Sequence, residues 1–145
     1  MTPVYQTKHD SPDGNCMAAC VATILDKPIE DVDVDVASCG NSVNALIAKI
    51  EEKAECKVDR IPHEAIVDAV VKSTERYCIV SVCSCVFQHD PSHPNSTWHS
   101  VVCEIAEDGK LSLVFNPDHK DLRTSSLNQF AALGDLFVVT RGLRS

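Results

Sequence analysis

The stretch Asp13-Gly14-Asn15-Cys16-Met17-Ala18-Ala19-Cys20-Val21-Ala22-Thr23-Ile24-Leu25 reads as a turn running directly into a helix. Gly14 supplies the turn, Asn15 is a favourable N-cap, and Met17-Ala18-Ala19 favours helix, so Cys16 is expected as the first helical residue. That position has chemical meaning. The N–H groups and partial positive charge of a helix N-terminus lower the pKa of a thiol and favour the thiolate, the form that attacks a carbonyl carbon. The same N–H groups can stabilise an oxyanion. The competing reading is that Cys16 and Cys20, one turn apart, are small buried hydrophobes, as free cysteines commonly are. The rest of the chain decides between them.

Upstream, residues 1–15 carry Pro, Asp and Gly without periodicity and read as an extended arm. Gln6 is singled out because an amide upstream of a nucleophilic thiol can donate to an oxyanion; a solvated arm residue is the alternative. Downstream, Lys27-Pro28 ends the helix at Leu25 or Asp26, and Pro28 opens a short turn of helix over Ile29-Glu30-Asp31-Val32. Asp31-Val32-Asp33-Val34-Asp35-Val36 alternates as a short strand or an extended surface segment. Its acids are read as a solvated face, because a calcium loop needs carbonyl ligands around a turn-forming Gly. Ser42 caps a second helix whose stripe is Val43, Leu46, Ile47, Ile50 and Ala54, and a third helix is expected from Pro62, burying Ile66, Ala69 and Val70.

From Tyr77 the periodicity changes. Tyr77 to Phe87 is a β-branched apolar run, the pattern of a central strand covered on both faces. A polar loop, Gln88 to Thr97, leads to a strand over Trp98 to Ile105. Ala106-Glu107-Asp108-Gly109-Lys110 then turns into a strand over Leu111 to Asn116, stopped by Pro117. After a polar loop come a short turn or helix around Leu127 to Leu133 and a last strand, Leu136 to Thr140. Helices followed by an antiparallel sheet make an α+β chain.

With 145 residues, 44% hydrophobic and 23% charged, the chain suits a single domain, residues 1–145, with a substantial core. A net charge of -8 and scattered basic residues argue against nucleic acid as a partner. The N-terminus lacks the apolar core of a signal peptide and no apolar run reaches membrane-spanning length, so a cytosolic location without membrane partners is expected. There the eight cysteines are reduced thiols, metal ligands or catalytic groups rather than disulfides.

A cysteine nucleophile needs a base within reach of its sulfur and a third group that orients the imidazole. His99 and Asn116 are the candidates. If Asp108-Gly109 form the centre of a two-residue type I′ turn, Val101 faces Asn116, and His99 becomes Asn116's diagonal neighbour on the same face. Asp118 would face His99 directly, although Pro117 is expected to end pairing first. A three-residue turn would reverse the parity and send Asn116 to the other face.

Asn15-Cys16-Met17-Ala18-Ala19-Cys20, His99-Ser100-Val101-Val102 and Phe115-Asn116-Pro117 together resemble the papain-like cysteine peptidase fold. The likeness is to its small bacterial and phage branch, which includes the leader-peptide-cutting domains of bacteriocin transporters. In that branch the corresponding motifs are Asp-Cys-Gly-x-Ala-Cys, His-x-Val-Val and Asp-Pro. Met17 stands where the branch has Gly, and Gln6 lies farther upstream than its usual Gln. The resemblance implies Cys16 as nucleophile, His99 as general base and then acid, Asn116 as orienting amide and Gln6 as oxyanion donor. It implies a fold of N-terminal helices packed on a C-terminal antiparallel sheet. No cofactor is expected, and the expected partner is a peptide or protein substrate, which the fold likeness itself does not supply.

Three other chemistries are weighed. Zinc is the first, through Cys83, Cys85, His89 and His93, but structural zinc pairs usually separate their thiols by two or more residues on a turn. The second is a non-catalytic module that keeps the fold and holds a peptide or protein in the cleft. The third is acyl transfer to an amine rather than to water.

Overall fold

The computed structural model describes residues 3–5, 7, 15–34, 39, 42–62, 75–83, 98–117 and 132–141. The helix expected at the N-terminus, α1 (Cys16–Leu25), ends where Asp26 takes the left-handed conformation at φ 56°. Its N–H and that of Lys27 cover the last carbonyls, the latter bonding to Ala22 O at 3.0 Å, and Pro28 follows where helix cannot continue. A 3-10 turn, Ile29–Asp31, comes next. α2 (Val43–Ala54) starts at Ser42, whose hydroxyl accepts from the Ala45 N–H at 3.3 Å.

The strands are β1 (Cys56–Ile61), β2 (Tyr77–Cys83), β3 (Trp98–Ile105), β4 (Leu111–Phe115) and β5 (Ala132–Arg141). They form one antiparallel sheet in the order β1-β5-β2-β3-β4, with the last strand inserted beside the first. The architecture is α+β, as expected. The sequence pattern missed β1, whose alternation is short and loaded with Lys57, Asp59 and Arg60. It also placed the start of β5 at Leu136, whereas pairing begins at Ala132, so the turn or helix proposed through Leu133 gives way to strand there. The expected third helix from Pro62 and the end of the long apolar run after Cys83 lie outside the described residues.

One face of the sheet carries both helices. Met17, Val21, Leu25, Leu46 and Ile50 pack with Val58, Ile79, Val102, Phe137 and Val139. Cys78, Val80, Val82, Val101, Cys103 and Leu136 form a second buried cluster. β2 is thus buried on both faces, which is why its sequence is continuously apolar rather than alternating. Each strand sends successive side chains to opposite faces, so even positions of β3 turn toward the helices and odd positions away.

The hairpin joining β3 to β4 differs from the expected one. Ala106 O accepts from the Gly109 N–H at 2.9 Å and the Ala106 N–H donates to Lys110 O at 2.9 Å, which makes Glu107-Asp108-Gly109 a three-residue loop. Gly109 sits at φ 82°, a conformation glycine takes at little cost, and Asp108 Oδ1 accepts from the Lys110 N–H at 3.1 Å. That loop pairs Ile105 with Leu111 and Cys103 with Leu113, the reversed parity. The register then shifts, and Val102 pairs with Phe115. Val114 is the extra residue of a β-bulge, so Leu113 joins one core cluster while Phe115 packs against the other. Bulge and loop cancel, and the chain leaves β4 with Asn116 across from Val101 after all.

Candidate active site

Three elements meet at the N-terminus of α1. Cys16 is its first residue and partly accessible, while Cys20, one turn on, is fully buried. His99 is the second residue of β3 and half-buried. Asn116 follows β4 directly and is 3% exposed; Pro117, also buried, restricts it to extended backbone.

His99 Nε2–H donates to Asn116 Oδ1 at 2.7 Å. The diagonal relation expected from the hairpin is thus present, reached through loop plus bulge instead of a two-residue turn. With Nε2 engaged, Nδ1 is the ring nitrogen left for the sulfur, and His99 is the group whose hydrogen bonding and charge lower the Cys16 pKa most. Burial raises the Cys16 pKa, but the hydrogen bond and positive charge of His99, with the N–H and hydroxyl of Ser100, outweigh it and leave the thiol below its ordinary value of 9.0. The buried cysteines go the other way. Burial pushes Cys20 well up, with the charge of Cys16 adding to it, pushes Cys78 up to about 12, and raises Cys56 and Cys103. Cys16 is therefore set apart from these buried thiols by its surroundings.

Asn15 is the N-cap residue, as expected, but its side chain makes no capping bond. It is 1% exposed and ties three segments together. Its Oδ1 accepts from the Thr7 N–H at 3.0 Å, and its Nδ2 donates to Thr7 Oγ1 at 2.9 Å and to Asp33 Oδ1 at 3.0 Å. Asp33, read from the sequence as part of a solvated acidic face, is instead half-buried against the helix start. Farther along, the Val4 N–H donates to Thr23 Oγ1 at 2.9 Å, and that hydroxyl donates on to Ala19 O at 2.8 Å. The Tyr5 ring meets Phe115 edge-on at 5.1 Å. The arm is thus fixed to the residues that directly precede Cys16 and Asn116. Gln6 and Asp118 lie outside the described residues, as do Cys85, His89 and His93 of the zinc reading.

Ser100 was not singled out from the sequence, although a polar residue on the helix-facing side of an apolar strand is the signal that could have found it. Among the described residues, no three His, Cys, Asp or Glu side chains gather as a metal-ligand set, and no helix is long and apolar enough to cross a membrane. Compared with models of known protein families and with curated protein sequences, the chain matches none.

Proposed function

We propose that this protein is a thiol-dependent acyl-transfer hydrolase, a peptidase, isopeptidase or amidase of papain-like type, working on peptide or protein substrates in a reducing, cytosolic setting. The observation that carries the reading is the relay from Cys16 through His99 to Asn116. A thiol at a helix N-terminus has its pKa lowered by an imidazole whose Nε2 donates to a buried amide at 2.7 Å. The order Cys, His, Asn and the local motifs support it as well.

In this mechanism the Cys16 thiolate attacks the substrate carbonyl, the carbon–sulfur bond forms and the carbonyl electron pair moves to oxygen. The backbone N–H of Cys16 and the Gln6 amide stabilise that oxyanion. Gln6 enters through the family resemblance, and the anchoring of its neighbours Tyr5 and Thr7 beside Phe115 and Asn15 is consistent with it. His99 gives its proton to the leaving amine, then takes one from the water that releases the acyl group. Asn116 holds the ring so that Nδ1 stays on the side of the sulfur and the substrate carbonyl.

Alkylation of Cys16 by iodoacetamide, followed across pH by mass spectrometry, tests the reading. The expected result is reaction well below the ordinary thiol range, slowed strongly by His99→Ala. A Cys16 that reacts no faster than Cys39 or Cys56 would favour the non-catalytic binding module.

A further inference from the structure

We propose that Asn15 is a positioning residue for the acyl transfer: by giving its side-chain amide to Thr7 and Asp33 instead of capping α1, it fixes the peptide that carries the Cys16 N–H, the donor awaiting the oxyanion. The inference rests on the thiol-hydrolase reading and adds to it a residue outside the Cys-His-Asn pattern.

The two helix starts of this chain show the difference. Ser42 stands in extended backbone, φ -98° and ψ 122°, and its hydroxyl takes the Ala45 N–H, as a cap does. Asn15 has a side chain at least as suited to that task, yet it sits at φ -117° and ψ 33° and makes no capping bond. Its amide reaches the other way. Oδ1 accepts from the Thr7 N–H at 3.0 Å, and Nδ2 donates to Thr7 Oγ1 at 2.9 Å and to Asp33 Oδ1 at 3.0 Å. Both partners are anchored elsewhere. Asp33 follows the fully buried Val32, and its backbone oxygen accepts from Lys53 Nζ at 2.8 Å. Thr7 belongs to the arm that Thr23 holds at Val4. Asn15 is 1% exposed, so water has little access to compete for these bonds.

The backbone of Asn15 is held at its other end. Its carbonyl accepts from the Ala19 N–H at 3.0 Å, the first rung of α1. In a planar trans peptide the N–H and C=O point opposite ways, so the Cys16 N–H points back out of the helix start. The torsion that aims this plane is ψ of Asn15, and the side chain and the carbonyl on either side of it are both tied down. An N–H aimed before the substrate arrives costs no reorganisation when the charge develops. Turning the amide away also keeps the Asn15 side-chain oxygen off the first-turn N–H groups, where a capping oxygen would compete with the substrate's.

Acylation and alkylation of the same thiol separate this role from a structural one. When the Cys16 sulfur attacks an activated aryl ester, the carbonyl electron pair moves to oxygen and needs the N–H; when it attacks iodoacetamide, the carbon–sulfur bond forms as iodide leaves and no oxyanion arises. Both rates scale with the thiolate fraction, so their ratio reports the donor. Stopped-flow acylation and mass-spectrometric alkylation are measured for wild type, Asn15→Ala, Asn15→Asp, Asp33→Ala and the double variant Asn15→Asp/Asp33→Asn, with thermal melts showing which fold. The expected result is a ratio of acylation to alkylation lowered about ten- to a hundredfold in Asn15→Ala and Asn15→Asp. Asp33→Ala should lower it in the same direction. The double variant, which exchanges donor and acceptor between positions 15 and 33, should largely restore it. If neither single Asn15 variant folds, Asp33→Ala and the double variant carry the comparison. An unchanged ratio, including one in which both rates fall together, or a loss that the exchange does not restore, overturns the role of Asn15 and leaves the triad standing. A wild-type Cys16 that takes no acyl group from the ester instead overturns the hydrolase reading beneath it.

Discussion

Replacing Asn116 with Ala removes the acceptor from His99 Nε2 and leaves Cys16 and the ring in place. The bond is 2.7 Å long and its acceptor is 3% exposed, so in the ion pair it is a charge-assisted bond with limited competition from water. Such bonds contribute about 1.5–3 kcal/mol, which corresponds to roughly a ten- to hundredfold change in the population of thiolate–imidazolium pair at neutral pH. The sign follows from which form is stabilised. Asn116 supports the protonated ring, so its loss makes His99 deprotonate earlier as pH rises and Cys16 deprotonate later. Alkylation of Cys16 near pH 7 should fall by about ten- to a hundredfold, and the window of high reactivity should narrow from both sides. Asn116→Asp, which supplies a charged acceptor, should keep the imidazolium to higher pH and extend the alkaline limb. If a folded Asn116→Ala protein gives the wild-type pH profile, the amide does not orient the ring and the relay argument fails.

Other expectations are independent of that relay. Because Asn15 bridges Thr7 and Asp33 rather than capping α1, Asn15→Ser should be about as destabilising as Asn15→Ala, by about 2–3 kcal/mol in urea unfolding, even though Ser is a good cap. A Ser variant close to wild type would return Asn15 to a capping role. Burial holds the Cys78 thiol protonated up to about 12 against an ordinary 9.0, so the unfolded chain releases that proton first. Stability is then whole below about pH 9 and falls as pH rises toward 12, by about 1.4 kcal/mol per pH unit, a slope that Cys78→Ala should lessen in denaturant titrations. Deleting Val114 removes the extra residue of the bulge while leaving Phe115 across from Val102, so Cys16 reactivity should stay within about tenfold of wild type. A loss as large as that of His99→Ala would mean that the bulge itself shapes the site.

Local patterns were legible in the sequence where one periodicity dominated. Turn and helix formers placed α1, Ser42 and the apolar stripe placed α2, and the β-branched run placed β2 in the middle of the sheet. β1 escaped because half of its short alternation is charged, and its strand character comes from pairing with β5 at the far end of the chain. Pairing of that range leaves no local signature. The link between His99 and Asn116 was anticipated from a hairpin whose turn was misread. Asp108-Gly109 fits a type I′ centre as well as the end of a three-residue loop, and a bulge at Val114 has no residue that announces it. The two errors were equal and opposite. The bridging role of Asn15 is illegible for another reason: an Asn before a helix has an ordinary local explanation as a cap, and only the packed structure shows that its side chain meets Thr7 and Asp33.

The central claim, that Cys16 is an acyl-accepting nucleophile which turns over, is tested most directly by mixing the protein with an activated aryl ester and weighing it at intervals. The expected result is a transient mass increase of one acyl group, mapped to the peptide containing Cys16, that decays as product accumulates beyond one equivalent. It should be absent in Cys16→Ala and should persist undischarged in His99→Ala. No acyl group on Cys16, or a wild-type adduct that never discharges to water or to an added amine, would contradict it.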